Sequence, residues 1–558
     1  AAALASISRP KELLSLPIVA AATALSHGDE HGVGREFFHW ELEFPEVFFD
    51  EHGREKDHPG FDAVIGNPPY GSKKMLDEFT KGFIRKNNSC LSSSDTAEMF
   101  LELSFNSIKY SGKVGMIVPK PLTYITSWKD IRRSISELAL KNIIDVSKAF
   151  KEVKLEQIII IFENSHASGS VKTGYLEENV NLVSEEILQN EFNERVYPLY
   201  RFGAVAELAS KLEKYYVNLG DICRIWSGIG GITRYLTKDS TKELIMKGAS
   251  LKRYGYTEDL YYIDSSFSNA GDREEHAPKR VICQDIVAHI KSPRDHIEIM
   301  ATIAETGLLT QETVINFTVP EESEYDVLFL LALINSKLFS WYAYNLIFNK
   351  AIRTMHYRPN YADFSPLRPI FFRTAATARG VLAQELVNSY NAGDFETIIS
   401  SIGTSLPKND EADFLAFVEG AIGDEEKSDV VHDFLAFLAQ QMLDTNAAKQ
   451  RLVREFLGWL DGETAGNLDD FRPKKYQEFW EYEFDEFYKW LNKNHEDFKA
   501  ADHGKLQGEF DKYKAELVAL TEKIERTDRL IDDIVYILYG LTEEEIEIVE
   551  SSFRGKSE

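Results

Sequence analysis

The chain has 558 residues, of which 44% are hydrophobic and 12% aromatic, and its formal net charge is −27. This length is too great for one hydrophobic core, so we expect two to four domains, and the composition is that of packed domains rather than of a disordered chain. The charge is −7 over residues 1–200, 0 over residues 201–373 and −20 over residues 374–558. An acidic chain is as a whole a poor candidate for a nucleic-acid binder; if any part binds a polyanion, we expect it to be the neutral middle segment, which has local basic clusters.

The cysteines and the apolar runs predict a cytoplasmic protein. Cys90, Cys223 and Cys283 have neither the spacing of a metal site nor that of a disulfide framework, so we predict buried thiols in a reducing compartment. The early run Leu16–Leu25 is short for a signal peptide, and acidic residues follow it. The longer run Val327–Phe348 contains several polar residues, which favours a buried helix over a membrane span.

The first 60 residues begin with a helical pattern and lead into Phe37–Phe49, where aromatic and acidic residues alternate. We interpret this stretch as a loop that packs aromatic rings onto a sheet. The apolar run Phe61–Ile65 then predicts a central, buried strand.

This strand ends abruptly at a rigid polar turn. Pro68 and Pro69 fix the backbone φ angle and remove two hydrogen-bond donors, so the strand cannot continue past them. The turn holds the amide of Asn67 and the ring of Tyr70 at the carboxyl end of the strand, which is where open α/β sheets bind ligands.

Alternating strand and helix patterns follow the turn. We predict helices over residues 97–110 and 131–140 and strands over residues 114–118, 142–146 and 157–162, followed by a linker with short elements over residues 165–200. This alternation predicts an α/β fold with a doubly wound, largely parallel sheet.

The middle segment, residues 201–373, differs in character. It contains short strand patterns separated by glycine turns, then one long apolar helix over about residues 326–349, and finally a basic and aromatic run from Lys350 to Tyr361. The last segment, residues 374–558, is helical and acidic, with its charge predicted on a solvated face. There, the 530–538 stretch has one apolar helical face, and Thr542–Glu545 predicts a capped helix start after a break at Gly540.

The turn suits one particular chemistry. The Asn67 side-chain oxygen and the Pro68 carbonyl are two acceptors that match the two hydrogens of an exocyclic amino group, so they would raise the electron density on its nitrogen. Tyr70 offers a flat face on which a base can stack, worth roughly 1–3 kcal/mol, and a base in a duplex must be flipped out to reach it. The alternative is a rigid strand end without chemistry.

Three separated parts of the chain resemble the TaqI-like, gamma-class adenine-N6 DNA methyltransferases and the related large type IIG restriction–modification proteins. These parts are Glu43–Phe48 with the Asn67–Tyr70 turn, Gly115–Pro119 and Phe150–Phe162; then Ser227–Ile229 and Leu333–Leu338; and finally Ile534–Thr542. The resemblance implies a Rossmann-like methyltransferase sheet, incomplete at its N-terminus, in residues 1–200. It also implies an α+β TaqI-type target-recognition domain in residues 201–373 and an all-α region in residues 374–558.

The same resemblance implies transfer of a methyl group from S-adenosyl-L-methionine to adenine N6 in double-stranded DNA, within a restriction–modification or phage-defence system. Asn67 and Pro68 would hold the amino group and border the cofactor, with Pro69 fixing the turn, while Tyr70 and Phe150 would stack on the flipped base. Phe150 could equally be an ordinary core aromatic residue. The expected phosphate contacts lie in the middle segment: Arg234, Lys252, Arg253, Lys350, Arg353 and Arg358.

One departure from the family is large. The family has a glycine-rich cofactor loop before its Asn-Pro-Pro-Tyr turn, whereas Gly32 and Gly34 follow no strand and Gly228–Gly231 comes too late in the chain. The chain also begins with Ala rather than Met. We therefore expect it to be the C-terminal part of a longer enzyme, completed by the N-terminal part of that enzyme or by a partner subunit.

Other functions remain open at this stage. A chain without the cofactor-binding half would be a non-catalytic DNA-recognition fragment or subunit. The same turn also serves methylation of protein glutamine and of adenine in RNA, although the basic and aromatic middle segment favours DNA. A nuclease site at Glu425–Lys427 has only part of the required pattern of carboxylates and lysine.

Overall fold

A computed structural model describes residue 38 and residues 40–554. Within this range it leaves out residues 73, 75, 88–91, 94, 150–154, 168, 178–180, 215, 258, 354, 407–425, 464–477 and 495–502. Cys90, Gly32 and Gly34 therefore lie outside the described residues, whereas Cys223 and Cys283 are buried free thiols, as predicted.

The first 200 residues contain a six-stranded mixed sheet. Its strands are β1 (Phe61–Gly66), β2 (Ile108–Pro119), β3 (Leu138–Ser147), β4 (Gln157–His166), β5 (Ser170–Glu177) and β6 (Asn181–Leu188), in the order β1-β2-β4-β3-β5-β6. The β1–β2 and β3–β5 pairs are parallel, and the other three pairs are antiparallel. The prediction of a largely parallel sheet was wrong, because β4 pairs antiparallel with both β2 and β3, and β5 pairs antiparallel with β6. Residues 165–200, predicted as a linker with short elements, instead extend the sheet through the eight-residue strands β5 and β6.

Helices cover one face of this sheet. The helices of this region are α1 (Trp40–Glu43), α2 (Pro45–Phe48), α3 (Glu78–Asn87), α4 (Ala97–Ser107) and α5 (Lys129–Ser136). Leu101 of α4 and Ile131 of α5 pack with Val114, Ile160 and Phe162 of the sheet in one hydrophobic core. The predicted helix ends were too late, because strands β2 and β3 begin at Ile108 and Leu138.

Strand β1 lies at the end of the sheet and pairs only with β2 among the described strands. Val64 faces the core, but the Ile65 side chain on the opposite face is 87% exposed. The prediction of a central, buried strand was therefore wrong. An apolar strand sequence indicates burial, but it cannot tell which part of the protein provides the cover.

The middle segment holds two main small sheets. Its strands are β7 (Val217–Asn218), β8 (Arg224–Ser227), β9 (Glu243–Met246), β10 (Leu251–Lys252), β11 (Gly255–Tyr256), β12 (Tyr261–Ile263), β13 (Arg280–Gln284), β14 (Ala288–Ile290), β15 (His296–Glu298), β16 (Ala301–Ala304), β17 (Leu309–Thr310), β18 (Val314–Thr318) and β19 (Pro366–Leu367). The order β16-β13-β18-β8 forms an antiparallel sheet, and β12-β9-β17 forms a second sheet. This mixture of short strands with helices α6 (Gly203–Lys214) and α7 (Ala270–His276) agrees with the α+β prediction.

The predicted long helix of the middle segment is broken. Helix α8 (Val327–Ile334) ends before α9 (Lys337–Tyr342), which continues as a π-helix over Ala343–Ile347; the short α10 (Pro359–Ala362) follows. The helices separate at Ser336, whose backbone is extended and whose hydroxyl caps α9 by accepting a hydrogen bond from the Phe339 N–H. Asn335, just before it, exchanges two 3.0 Å hydrogen bonds with the Ala301 backbone. In the described part of the chain no single helix could cross a membrane; α8 and the run Lys337–Ile347 meet the length and composition criteria only as a pair bent by 54°.

The last segment is helical, as predicted. Its helices are α11 (Ala376–Ala392), α12 (Phe395–Ser405), α13 (Ser428–Glu463), α14 (Phe484–Asn494), α15 (His503–Leu538) and α16 (Glu543–Glu550). The apolar face of α15 is buried, and the predicted capping box joins Thr542 and Glu545 at the start of α16. One core continues from Phe329 of α8 to Phe434 of α13 and Ile534 of α15, so it extends across the predicted boundary at residue 373.

Candidate active site

The turn after β1 is fixed by the start of helix α4. The Thr96 hydroxyl donates a 2.7 Å hydrogen bond to the Pro69 carbonyl, and the Thr96 N–H donates a 2.8 Å hydrogen bond to the Gly71 carbonyl. Pro68 is buried inside the turn, while Pro69 is exposed. The turn is therefore held from both sides. No sequence pattern indicates this contact, since Thr96 resembles an ordinary helix-capping residue.

Tyr70 is fixed by the neighbouring strand. Its hydroxyl donates a 2.9 Å hydrogen bond to the Ile117 carbonyl near the end of β2, and its ring packs against the edge of the core. Burial, with a smaller contribution from the charge of Asp95, raises the pKa of Tyr70 to about 12. Tyr70 is therefore a neutral donor with a fixed ring at physiological pH.

Asn67 differs from its neighbours in having no partner. Its side chain is exposed, and within the described residues neither its amide nor the Pro68 carbonyl takes part in a hydrogen bond. These two acceptors lie next to each other in a turn fixed by Thr96 and Tyr70. The exposed Asn67 amide is open to a ligand with N–H donors, whereas the neighbouring Pro68 carbonyl belongs to a buried residue and has no hydrogen-bond partner among the described residues.

Apolar surface surrounds the exposed edge of β1. The rings of Trp40, Phe44 and Phe48 each contact the Phe61 ring, with centroids 5.5–5.6 Å apart. The rings pack onto the sheet as predicted, but the stretch forms the short helices α1 and α2 rather than the predicted loop. Trp40 and Phe44 nevertheless remain 37% exposed, and Ile65, four residues after Phe61 in β1, is 87% exposed, so apolar side chains are exposed at both ends of this strand.

Three of the predicted phosphate contacts lie on the segment after the π-helix. Lys350 is exposed, and its ammonium lies 4.8 Å from the centroid of the Tyr200 ring. Desolvation by the surrounding protein, with the positive charges of Lys120 and Arg294, lowers the pKa of Lys350 to about 8. The exposed residues Arg353 and Arg358 follow it.

The other candidates are separated from this segment. Arg234 is exposed over the Tyr235 ring at 4.7 Å, and Lys252 is exposed in the β10–β11 hairpin. The structure corrects the expectation for Arg253: its guanidinium makes two hydrogen bonds to Asp528, of 2.7 and 3.0 Å, and one to the Asn335 carbonyl. Although burial opposes its charge, Asp528 raises the pKa of Arg253, which therefore joins the middle and last segments.

Two further expectations concern the cofactor and the second stacking ring. Phe150 lies outside the described residues. The glycines after β8 serve a different purpose from a cofactor loop. A Cβ on Gly228 would lie 2.4 Å from the Thr310 carbonyl oxygen, and a 3₁₀ turn, Thr233–Tyr235, follows instead of a long helix. Of the residues predicted to border a cofactor, the structure therefore places only those of the Asn67–Tyr70 turn at a strand end.

The proposed nuclease segment is also occupied by structural contacts. Glu426 is buried and pairs with Arg368 at 3.3 Å, while its second oxygen accepts a 2.9 Å hydrogen bond from Ser428. Glu425 lies outside the described residues. Glu426 is therefore a core carboxylate, with no open site for a metal or a phosphate.

Comparison with known proteins supports part of this account. Residues 22–151, which include β1 and the Asn67–Tyr70 turn, match a family model described as the Eco57I restriction-modification methylase. Residues 428–535 match a domain of unknown function, DUF8810. No curated protein matches the chain.

Several solved structures are similar at low sequence identity. The Type IIL restriction-modification enzyme MmeI in complex with DNA is 10% identical with a TM-score of 0.39, covering 88% of this chain and 56% of that chain. The type IIG restriction endonuclease BpuSI is 13% identical with a TM-score of 0.26, covering 67% and 53%. A putative class I S-adenosylmethionine-dependent methyltransferase from Listeria monocytogenes is 16% identical with a TM-score of 0.19, covering 22% and 38%. This chain thus spans about half the length of MmeI and BpuSI.

Proposed function

We propose that this chain is the base-binding and DNA-recognition part of a site-specific methyltransferase. It would act on adenine N6 in double-stranded DNA, within a cytoplasmic restriction–modification or phage-defence system. One observation carries the proposal: the open Asn67 amide stands in a rigid turn inside the segment that matches the methylase family model.

The turn would prepare the amino group of adenine for attack. The Asn67 oxygen and the Pro68 carbonyl accept its two N–H bonds, which draws electron density onto the nitrogen and favours tetrahedral geometry. Because Thr96 and Tyr70 already fix the turn, no reorganisation is needed when the base arrives. Bound S-adenosylmethionine supplies the methyl group.

The base would reach this turn only after it has left the duplex. The Tyr70 ring is available as one stacking face, and stacking on an aromatic ring contributes roughly 1–3 kcal/mol. Phe150 remains the predicted second face. The phosphates on either side of the flipped base would bind Lys350, Arg353 and Arg358, with Arg234 and Lys252 farther along the recognition segment.

The lowered pKa of Lys350 predicts a pH-dependent affinity for DNA. The ammonium is present below a pH of about 8 and is lost above it, so affinity is expected to fall between about pH 7 and about pH 9. Lys350→Arg keeps the charge and should flatten this dependence, whereas Lys252→Arg, at an exposed lysine elsewhere, should not. Fluorescence anisotropy with a mixed-sequence duplex measures both. An unchanged pH profile in Lys350→Arg would contradict a contact between Lys350 and phosphate.

A second candidate function is supported by the exposed edge of β1. The turn lies at the end of a sheet whose last strand exposes Ile65, and the cofactor side of the pocket is missing from the described residues. The chain would then be inactive alone and would bind the cofactor only together with a segment or subunit that pairs with β1. Equilibrium binding of S-adenosylmethionine to the purified chain tests this, since micromolar affinity would contradict the need for a partner.

Substrate class is tested by direct comparison. Duplex DNA, single-stranded RNA and a glutamine-containing peptide are incubated separately with labelled S-adenosylmethionine and the active protein. We expect the label in duplex DNA alone. Label in the peptide or the RNA would overturn the assignment to DNA while keeping the chemistry of the turn.

A further inference from the structure

A buried group of charges lies at the same sheet edge as the Asn67–Tyr70 turn. Lys120 follows β2 directly, three residues after Ile117, whose carbonyl accepts the Tyr70 hydroxyl. The Lys120 ammonium is 2.6 Å from Asp145 and 3.1 Å from Glu156, and all three side chains are at least 92% buried. Burial opposes the charge of Lys120, but the two carboxylates outweigh it and raise the pKa of Lys120.

This group binds a segment that is far away in the sequence. The Lys120 ammonium donates a 3.4 Å hydrogen bond to the Lys350 carbonyl, and the second oxygen of Glu156 accepts a 2.7 Å hydrogen bond from the Ile352 N–H. The Tyr124 hydroxyl adds a 3.1 Å hydrogen bond to the Arg353 carbonyl. These hydrogen bonds hold residues 349–353 close to the C-terminal end of strand β2.

The held segment has an unfavourable backbone. Asn349 and Lys350 have φ angles of 49° and 52°, and such left-handed conformations cost free energy in residues other than glycine. The Asn349 amide helps to maintain this shape by donating hydrogen bonds to Thr123 at 3.0 Å and to the Tyr197 carbonyl at 2.9 Å. A strained conformation maintained by so many contacts favours a functional position for Lys350.

The contacts leave the side chain of Lys350 available. The two carboxylates face Lys120, and within the described part of the chain the Lys350 ammonium forms no ion pair. Lys350 lies over the Tyr200 ring, while the Tyr200 hydroxyl donates a 2.6 Å hydrogen bond to Asp145. Among the described residues no carboxylate pairs with the Lys350 ammonium, so it is free to pair with an external anion.

We propose that Lys120 is a positioning residue, which places Lys350 for a DNA phosphate beside the base held by Asn67. This inference rests on the proposed function. The buried group of Lys120, Asp145 and Glu156 would then do more than join two parts of the chain. It would link the recognition segment to the strand ends at which the base binds. Lys120 itself would touch neither the base nor the phosphate.

A double-mutant cycle tests this role. The full chain is compared as wild type, Lys350→Ala, Lys120→Met and the double variant, with affinity for a mixed-sequence duplex measured over a range of salt concentrations. Each single variant should weaken binding by about tenfold. It should also reduce the salt slope, which is the slope of the logarithm of the binding constant against the logarithm of the salt concentration, by about one unit. If Lys120 acts through Lys350, the double variant should bind no more weakly than Lys350→Ala. The proposal would be overturned if the fold-loss of affinity in the double variant equalled the product of the two single losses. Unchanged DNA binding in Lys120→Met would also overturn it.

A matched control separates positioning from stability. Arg368 and Glu426 form another buried pair, with side chains 4% and 3% exposed. Arg368→Met and Lys120→Met are both expected to lower the melting temperature, but Arg368→Met should leave the salt slope unchanged. A similar loss of salt slope in both variants would overturn the proposal. If Lys120→Met fails to fold, Glu156→Gln replaces it in the cycle with the same expected pattern.

These measurements need neither cofactor nor methyl transfer. A protein that shows the non-additive cycle but methylates no adenine would keep the role of Lys120 and lose the proposed function. A wild-type protein without salt-dependent DNA binding would overturn both.

Discussion

Asn67→Ala is expected to lower the rate of methyl transfer by at least about 10²–10³-fold while leaving DNA affinity unchanged. Loss of a single preorganised hydrogen-bonding group at a reacting centre has effects of this size. Asn67 is exposed and makes no hydrogen bond of its own in the described structure, so its removal should not change the melting temperature. Single-turnover methylation with duplex DNA and anisotropy with the same duplex separate the two effects.

The control for this prediction is Asn190→Ala, which removes an exposed amide just after the last strand of the sheet. It should leave transfer and binding at wild-type values. A rate of methyl transfer in Asn67→Ala within about threefold of the wild-type rate would contradict the proposed role, since loss of a group that holds the reacting nitrogen should lower the rate much more.

Ile65→Lys is expected to have the second largest effect, on assembly of the cofactor pocket. If a cofactor-binding segment or subunit covers β1, the ammonium would be buried without a partner and the apolar contact of Ile65 would be lost. We expect the affinity for S-adenosylmethionine of the assembled protein to fall by at least about 100-fold. Isothermal titration of the cofactor measures this.

Leu188→Lys provides the comparison, because Leu188 ends β6 at the opposite edge of the sheet and is 63% exposed. It should bind the cofactor like the wild type. Normal cofactor affinity in Ile65→Lys would show that this face stays open to solvent, and the function that depends on a partner would then be withdrawn.

Local chemistry made some of these features predictable. The turn at Asn67–Tyr70 follows from two prolines after an apolar run, and the helix start at Thr542 follows from a capping box, so neither depends on distant residues. The apolar face of α15 was likewise visible in the spacing of its residues. Here a short stretch of sequence contains the whole physical cause.

Other features depend on partners that no local pattern reveals. Arg253 looked like a phosphate contact until it was placed beside Asp528, 275 residues later in the chain. The sequence does not predict the ion pairs of Lys120, because Asp145 and Glu156 come close to it only when β2, β3 and β4 are adjacent. The exposure of Ile65 also escaped prediction, because β-strand propensity reports an apolar environment without saying which element supplies it.

The most direct test of the central claim is nucleoside mass spectrometry of unmethylated duplex DNA after incubation with labelled S-adenosylmethionine and the protein in its full natural length. We expect the wild type to produce labelled N6-methyladenine and Asn67→Ala to produce none above background. Equal labelling by the two proteins, or no labelled adenine from a wild type that binds both cofactor and DNA, would contradict it.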